Sequence, residues 1–283
     1  MNTTRTAAHT TTDGLHPAAP QRGSWALVTG ASGGIGEAFV LFLARHGVNV
    51  ILTGRRRDAL ERVAERARGL GVDAGDGRAV EFVVLTGDMA VKDDRDELVA
   101  EISRRKLRVQ TLVNNAGFGT IGDFAVSDPA RHLEQVQVNC AALTDLTQRY
   151  LPGMLQSHRG TIINVASTAS FQPLPGMAVY AATKAYVRAL TEALWHEVKG
   201  TGVKVITLCP GPTETGFFEA AGDSKALNWR RTAEQVVQTC FDGLAKGSPT
   251  VVDGPLNLAQ AVAGRLAPTR LGLVISEKVM RRR

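Results

Sequence analysis

The chain has few of the residues that form disulfides or metal sites, and it lacks long apolar runs. Its 283 residues include three cysteines, Cys140, Cys209 and Cys240, far apart and mostly in apolar runs. We therefore expect reduced thiols in a cytoplasmic protein and no disulfide framework. The cysteines and the six histidines show no metal-ligand spacing, so we predict no metal site. No apolar run reaches the roughly 20 residues of a membrane-spanning helix, which favours a soluble protein.

The charge balance is mildly basic. There are 33 basic and 27 acidic residues, a formal net charge of +6. The basic residues are scattered, apart from clusters at 55–57, 104–106 and 281–283. Nucleic-acid recognition requires a concentrated basic patch, so we predict a solvated surface and no nucleic-acid partner.

Composition divides the chain into three parts. Residues 1–23 are rich in Thr, Ala and His, contain Pro17 and Pro20, and lack an apolar core, which predicts a disordered tail. Residues 24–255 contain no Pro-, Gly- or Ser-rich linker and are read as one domain. Residues 256–283 form a C-terminal extension, which we expect to pack on a partner subunit or on the pocket.

From Ser24 onward, short apolar runs alternate with amphipathic stretches. This βαβ rhythm predicts an α/β protein with a single-domain Rossmann fold, a doubly wound parallel sheet of seven strands flanked by helices. The strands are expected at residues 26–28, 48–52, 80–85, 111–113, 161–165, 203–208 and 250–252. The helices are expected at residues 37–46, 58–68, 92–106, 130–156, 179–199 and 232–246.

A glycine-rich turn, Thr29–Gly36, joins the first predicted strand to the first predicted helix. Gly30 permits the tight turn, while Gly34 and Gly36 remove side chains where the backbone must approach a pyrophosphate and pack helix on strand. The N-terminus of the helix then stabilises the phosphate charge. A glycine turn alone is more often structural, but between a strand and a helix it predicts a dinucleotide site.

Tyr180 and Lys184 are four residues apart, which places a phenol beside an ammonium on one helical face. A neighbouring cation favours the phenolate and moves the tyrosine pKa towards neutrality, as acid–base catalysis requires. Ser167 lies thirteen positions upstream and supplies a hydroxyl. Neither of the other two tyrosines has a lysine four residues on. The competing hydroxyls are those of Ser170, Tyr150 and Tyr186.

With Asn114–Gly117, these motifs in this order resemble the short-chain dehydrogenase/reductase family, from about Trp25 to Phe218. The resemblance implies a Rossmann fold, a nicotinamide cofactor and hydride transfer between a carbonyl and an alcohol. Sequence segments such as LTGRRRDAL and CPGPTETGFF are also similar to those of an NADP-preferring branch near long-chain 3-ketoacyl and 17β-hydroxysteroid reductases. Family members usually pair through the two long helices, which implies a homodimer or homotetramer.

The resemblance assigns the catalytic roles by position. Tyr180 is expected to supply the proton, Ser167 to hydrogen-bond the carbonyl, and Lys184 to bond the nicotinamide ribose while lowering the phenol's pKa. Asn139 falls where the family holds a helix distortion and a water that passes protons to the lysine. Its alternative role is an amide that caps a local kink, and that of Ser167 is a hydroxyl that satisfies a backbone group at the strand end.

The end of the second strand indicates the cofactor. NAD enzymes of this fold usually place an acidic residue there, but this chain has Gly54 followed by Arg55 and Arg56. A guanidinium suits a 2′-phosphate, so NADP(H) is favoured, with a solvated helix start as the alternative. Some NADP-preferring relatives carry a basic residue within the glycine turn, whereas this chain has Gly33 there.

Further cofactor contacts follow from the resemblance. Asp88 and Met89 fall where the family grips adenine, and Thr213 where a hydroxyl meets the nicotinamide carboxamide. The expected cofactor-binding residues are Gly30, Ser32, Gly33, Gly34, Ile35, Gly36, Arg55, Arg56, Asp88, Met89, Asn115, Ala116, Gly117, Tyr180, Lys184, Pro210, Gly211 and Thr213.

These features predict an NADPH-dependent reductase of a hydrophobic ketone or aldehyde. An apolar pocket is expected from Phe171, Pro173, Pro175 and Met177, with a substrate lid at Thr215–Trp229. The alternative is a non-catalytic NADP-binding regulator or scaffold of the same fold, which the intact Ser, Tyr and Lys disfavour. A third hypothesis is a membrane-surface role for Leu256–Arg283, where apolar residues mix with arginines; packing on a partner subunit competes with it.

Overall fold

The computed structural model describes residues 15–215 and 231–281. Within them, seven strands form one parallel sheet in the order β3-β2-β1-β4-β5-β6-β7. The strand order reverses between β1 and β4, so ligands are expected above the carboxyl ends of these two strands. The predicted doubly wound sheet is therefore confirmed. The strands are β1 (Trp25–Thr29), β2 (Asn49–Gly54), β3 (Phe82–Thr86), β4 (Val109–Asn114), β5 (Gly160–Val165), β6 (Val203–Cys209) and β7 (Thr250–Val252).

The described helices cover both faces of the sheet. Alternate residues of β1 serve the two layers, since Ala26 and Val28 belong to one apolar core and Leu27 to the other. None of the described helices is long and apolar enough to cross a membrane. The helices are α1 (Gly34–Arg45), α2 (Arg57–Arg68), α3 (Lys92–Arg104), α4 (Pro129–Val136), α5 (Leu143–Gln156), α6 (Ala178–Glu197), α7 (Ala233–Ala245), α8 (Pro255–Leu266) and α9 (Thr269–Arg281).

The long helix predicted at 130–156 contains a distortion. Helices α4 and α5 are joined by a π-helical turn at Gln137–Ala142, in which Asn139 is buried. A π turn widens the helix locally and often marks a functional position. Helical periodicity predicted the whole span but not this change in hydrogen-bonding pattern.

His16 and Ala18 pack against the core, within the segment 1–23 that the sequence predicts to be a tail. The His16 backbone N–H donates to His46 Nε2 over 2.9 Å, and His16 Nε2 lies 2.9 Å from a carboxylate oxygen of Asp242 on α7. Ala18 is buried in the core beside them. His16 therefore ties this segment to the end of α1 and to α7.

The geometry around His46 fixes its protonation state. Its Nδ1 lies 2.7 Å from the Phe42 carbonyl oxygen and must carry the proton, so Nε2 is free to accept the His16 N–H. Burial lowers the pKa of His46 below its ordinary value of 6.5, the hydrogen bond to the Phe42 carbonyl opposes this, and His16 and Arg45 add to the lowering. The unfolded chain therefore binds more protons as the pH falls through 6.5, and the fold loses stability in acid.

We expect the free energy of unfolding to decrease from about pH 7.5 to about pH 5.5, and His46→Gln to remove part of that decrease. Glutamine keeps an acceptor for the His16 N–H, so the variant should cost less than about 1 kcal/mol at neutral pH. Urea unfolding across this pH range measures the effect, with exposed His196→Gln as the matched control. An unchanged slope in His46→Gln would show that His46 does not contribute.

Candidate active site

A cleft of about 760 Å³ lies at the carboxyl ends of the strands where the strand order reverses. Its volume is within the range of about 300–1,000 Å³ that small-molecule sites occupy. All the predicted site residues line it, except Gly36 and Asn139. The sequence motifs, although spread over more than half of the chain, therefore meet in one place.

The glycine turn is shaped by close backbone approach. Gly30 adopts a positive φ of 63°, a conformation that other residues rarely take. A Cβ on Gly36 would lie 2.1 Å from the Gly30 carbonyl oxygen, so Gly36 packs α1 against the turn and does not line the cleft. Among the described residues, no side chain caps the N-terminus of α1, and its free N–H groups are suited to an anion.

Asn115 ties the end of β4 to this turn. Its side-chain amide donates to the carbonyl oxygens of Thr29 and Gly30 over 3.0 and 3.1 Å. The Thr29 hydroxyl accepts the backbone N–H groups of Asn115 and Ala116, each over 3.0 Å. The turn is thus held in place by a second strand before any ligand binds.

The donor set of the cleft fits a nicotinamide dinucleotide. The uncapped α1 N-terminus suits a pyrophosphate, and Gly54 and Arg55 replace the carboxylate expected of an NAD enzyme. The loop after β3 is held from behind, since the buried Arg95 guanidinium donates to the Met89 carbonyl oxygen over 2.7 Å. Asp88 and Met89, at the predicted adenine position, are therefore fixed at the cleft wall.

The side chains of Tyr180 and Ser167 are hydrogen-bonded to each other in the cleft. The Tyr180 side chain is buried and hydrogen-bonds to Ser167. The Ser167 oxygen also accepts the Ala169 N–H over 3.1 Å and so caps the short 3-10 helix Thr168–Phe171 that follows β5. Burial raises the pKa of Tyr180 to about 12, and the bond to Ser167 opposes the rise only in part. The phenol is therefore protonated at neutral pH.

Lys184 is buried beneath the tyrosine. Its Nζ donates to the Val165 carbonyl oxygen over 2.8 Å and lies 5.8 Å from the centre of the Tyr180 ring. Burial lowers the pKa of Lys184 to about 8. The prediction that Lys184 pulls the Tyr180 pKa towards neutrality does not hold in this structure, because burial penalises both charged forms and the ammonium is directed at a backbone carbonyl.

Asn139 lies behind the cleft wall, within the π-helical turn. Its amide nitrogen donates to the Phe118 carbonyl oxygen and the Thr183 hydroxyl, each over 3.0 Å, and its oxygen accepts the Phe118 N–H over 3.1 Å. These contacts are those of an amide that holds a helix distortion in place. Gly117 makes room for this arrangement, since a Cβ there would lie 2.9 Å from Asn139 Oδ1 and 3.2 Å from Lys184 Nζ.

The competing hydroxyl groups do not line the cleft. The buried Ser170 hydroxyl lies 3.8 Å from the Cys209 sulfur. Tyr186 is half-exposed and lies within 2.8 Å of the Thr144 hydroxyl, while Tyr150 packs against the core. Tyr180 is the tyrosine in the cleft, which is the geometric reason to prefer it over the other two.

The other end of the cleft differs from the predicted pocket. Met177 lines it, but Phe171, Pro173 and Pro175 do not; Phe171 packs under the Arg188 guanidinium at 4.7 Å. The lid predicted at Thr215–Trp229 lies outside the described residues except for Thr215, which lines the cleft. Lining residues that the motifs missed are Phe118, Glu134, Val138, Thr168, Gln172, Leu174, Gln260, Ala261, Ala263, Gly264, Ala267, Gly272 and Ser276.

The last seven of these come from α8, α9 and the residue Ala267 between them, so the C-terminal extension forms a wall of the cleft. The signal available in the sequence was the small residues Ala261, Ala263, Gly264 and Ala267, which let a helix approach closely. A Cβ on Gly264 would lie 2.5 Å from the Gln172 side-chain oxygen. This close contact fixes α8 against the loop that carries Ser167.

A family model described as short chain dehydrogenase matches residues 24–226. The chain belongs to the short-chain dehydrogenase/reductase family. A 7beta-hydroxysteroid dehydrogenase of Clostridium sardiniense is 31% identical over 237 residues, which is 83% of this chain and 87% of that protein. Such relatives make this protein an oxidoreductase with a nicotinamide cofactor.

Solved structures of the family superpose on the same architecture. A short-chain dehydrogenase of Sphingobium yanoikuyae in complex with NADPH has a TM-score of 0.75 at 28% identity, covering 89% of this chain and 95% of the other. A short-chain dehydrogenase/reductase of Burkholderia phymatum in complex with NAD also has a TM-score of 0.75, at 25% identity, covering 86% and 92%. The two structures contain different cofactors.

We expect Gly117→Ala to lower the oxidoreductase activity roughly 10- to 100-fold, because the added methyl displaces Asn139 and Lys184. Overpacking should cost about 1–3 kcal/mol of stability, so the protein should remain folded. Steady-state rates and thermal unfolding measure the two effects. Gly153→Ala is the matched control, since a Cβ there meets nothing within 4 Å. Full activity in Gly117→Ala would contradict the close packing behind the cleft.

Proposed function

We propose that this oxidoreductase reduces hydrophobic ketones or aldehydes with NADPH, and that Tyr180 donates the proton to the carbonyl oxygen. The observation that carries the proposal is the buried Tyr180 hydroxyl, bonded to Ser167 within the cleft. A carbonyl oxygen that gains negative charge requires a proton donor and a second hydrogen bond to orient it. Tyr180 and Ser167 provide both from adjacent positions.

The chemistry that a bound nicotinamide supplies is hydride transfer to the carbonyl carbon. Tyr180, whose pKa burial raises to about 12, remains protonated through the physiological range and is ready to donate in the reductive direction. Ser167 holds the carbonyl oxygen, and its position is fixed by the Ala169 N–H.

Lys184 is proposed to donate to the nicotinamide ribose. Its ammonium lines the cleft and donates to the Val165 carbonyl oxygen. The lowered pKa of about 8 means that this charge is present at neutral pH and is lost in mildly alkaline solution. Asn139 acts as a positioning residue, because it fixes Phe118 and Thr183 around the lysine.

The choice of NADPH is supported by Gly54 in place of a carboxylate and by Arg55 and Arg56 at the rim of the cleft. The Sphingobium relative, which holds NADPH, is consistent with this choice. The Burkholderia relative, in contrast, is in complex with NAD.

A hydrophobic ketone or aldehyde is supported by the apolar and small residues at the substrate end of the cleft. Leu174 and Met177 line it together with Ala261 and Gly264 of α8. The Clostridium relative is described as acting on a hydroxysteroid, which is the kind of rigid apolar alcohol such a wall accommodates. We further propose assembly as a homodimer or homotetramer, since Leu133 on α4 and Tyr186 on α6 are exposed. The three free cysteines support the proposal of a cytoplasmic location.

Tyr180→Phe should lower turnover by about 10²- to 10⁴-fold, because the ring stays and the proton is lost. NADPH affinity, followed by cofactor fluorescence, should stay within about threefold of wild type. Tyr186→Phe, which also removes a tyrosine hydroxyl from α6, is the matched control and should keep its activity. Near-wild-type turnover in Tyr180→Phe would remove Tyr180 from the role of acid. NADPH binding by the wild-type protein without turnover of any ketone would favour the alternative of a non-catalytic NADP-binding regulator or scaffold.

The kcat/KM for NADPH, which follows groups of the free enzyme, should be flat below pH 8 and fall above it as Lys184 loses its proton. Lys184→Met should lower this constant by about 100-fold and abolish the alkaline limb. Lys199→Met is the control and should keep the wild-type profile, because Lys199 is exposed, follows the end of α6 and does not line the cleft. An alkaline limb that persists in Lys184→Met would assign it to another group.

A further inference from the structure

Arg55 is held by carboxylates from two sides of the cleft. Its Nη1 lies 3.4 Å from Glu134 Oε1 on α4 and 3.8 Å from Asp88 Oδ2 after β3. The Arg55 side chain is 61% exposed and that of Glu134 28%. The arginine predicted to recognise a 2′-phosphate is therefore already engaged by carboxylates.

Glu134 is itself held in this position by α4. Its other carboxylate oxygen, Oε2, lies 2.6 Å from Arg131 Nη1. The Arg131 guanidinium packs over the Phe118 ring at 4.0 Å, directly after the Asn114–Gly117 motif. Phe118 and Glu134 both line the cleft. The ion pair between Glu134 and Arg55 therefore spans the rim of the cleft, and the contacts of Arg131 hold Glu134 on its side.

We propose that Glu134 is a specificity-determining residue that competes with the 2′-phosphate for Arg55. The inference rests on the proposed use of NADPH. A phosphate can bond the guanidinium only as the Glu134 carboxylate gives it up, and the negative charge that remains nearby repels the phosphate. An adenosine without the 2′-phosphate does not have to displace Glu134 from Arg55 and is not repelled by its charge. Glu134 thus reduces the preference for NADP(H) over NAD(H) that Arg55 creates.

The charge of Glu134 is the part of the side chain that matters. Exposed ion pairs are individually weak, so the expected effect is moderate. Glu134→Gln keeps the size of the side chain and removes its charge. We expect the variant to bind 2′,5′-ADP about three- to tenfold more tightly than wild type, with 5′-AMP binding unchanged. Because the competition is electrostatic, the gain should shrink at high salt.

Calorimetric titration of the full chain with 2′,5′-ADP and with 5′-AMP tests the proposal without turnover. Glu97→Gln is the matched control, because Glu97 pairs with Arg104 on α3, is exposed, and does not line the cleft. It should bind both nucleotides as wild type does. An unchanged ratio of the two affinities in Glu134→Gln would overturn the proposal.

A double-mutant cycle tests whether the effect acts through Arg55. In an Arg55→Gln background, Glu134→Gln should produce no further gain in 2′,5′-ADP binding. An equal gain with and without Arg55 would overturn the competition and leave a general effect of charge. If Arg55→Gln does not weaken 2′,5′-ADP binding, the proposed 2′-phosphate contact fails instead, which distinguishes the failure of the NADPH proposal from that of the role of Glu134.

Discussion

The site depends on a buried ammonium that must be surrounded by acceptors. A charged amine without such partners is strongly destabilising in the interior of a protein. Lys184 meets the Val165 carbonyl oxygen at the end of β5, and a Cβ on Gly117 would contact both its Nζ and the Asn139 oxygen. Strand β5, the loop after β4, the π-helical turn and α6 are therefore held in one arrangement, and Tyr180 and Ser167 are positioned by it.

The two ends of the cleft are built by different means. At the cofactor end, backbone groups dominate, since Thr29 and Asn115 tie the glycine turn to β4 and leave the α1 N-terminus uncapped by described side chains. At the substrate end, helices α8 and α9 supply a wall of small and apolar residues. The backbone groups of the first end suit a dinucleotide, whereas under the proposed function the second end selects the carbonyl substrate. Tyr180 and Ser167 lie in the same cleft and are the residues proposed to act on that substrate.

The sequence predicted what depends on local pattern. Apolar runs of strand length gave the seven strands, and the motifs around Gly30, Ser167 and Tyr180 identified residues that meet in one cleft. Contacts between distant segments were not predictable: Arg55 and Glu134 are 79 residues apart, and their ion pair depends on how α4 lies across the sheet. The packing of His16 and Ala18, and the position of the α8 wall, depend likewise on contacts between distant segments. The Tyr180 pKa was expected to fall because spacing reports a neighbouring charge but not burial.

Transfer of deuterium from NADPH labelled at C4 tests the central claim that this cleft performs hydride transfer with Tyr180 as the acid. Wild-type protein would be incubated with the labelled cofactor and a panel of cyclic, aromatic and steroidal ketones, and the alcohols analysed by mass spectrometry and NMR. The account predicts one deuterium at the carbinol carbon, at a rate that Tyr180→Phe lowers and Tyr186→Phe does not. Saturable NADPH binding with no deuterium in any alcohol, the behaviour of a binding module, would contradict it.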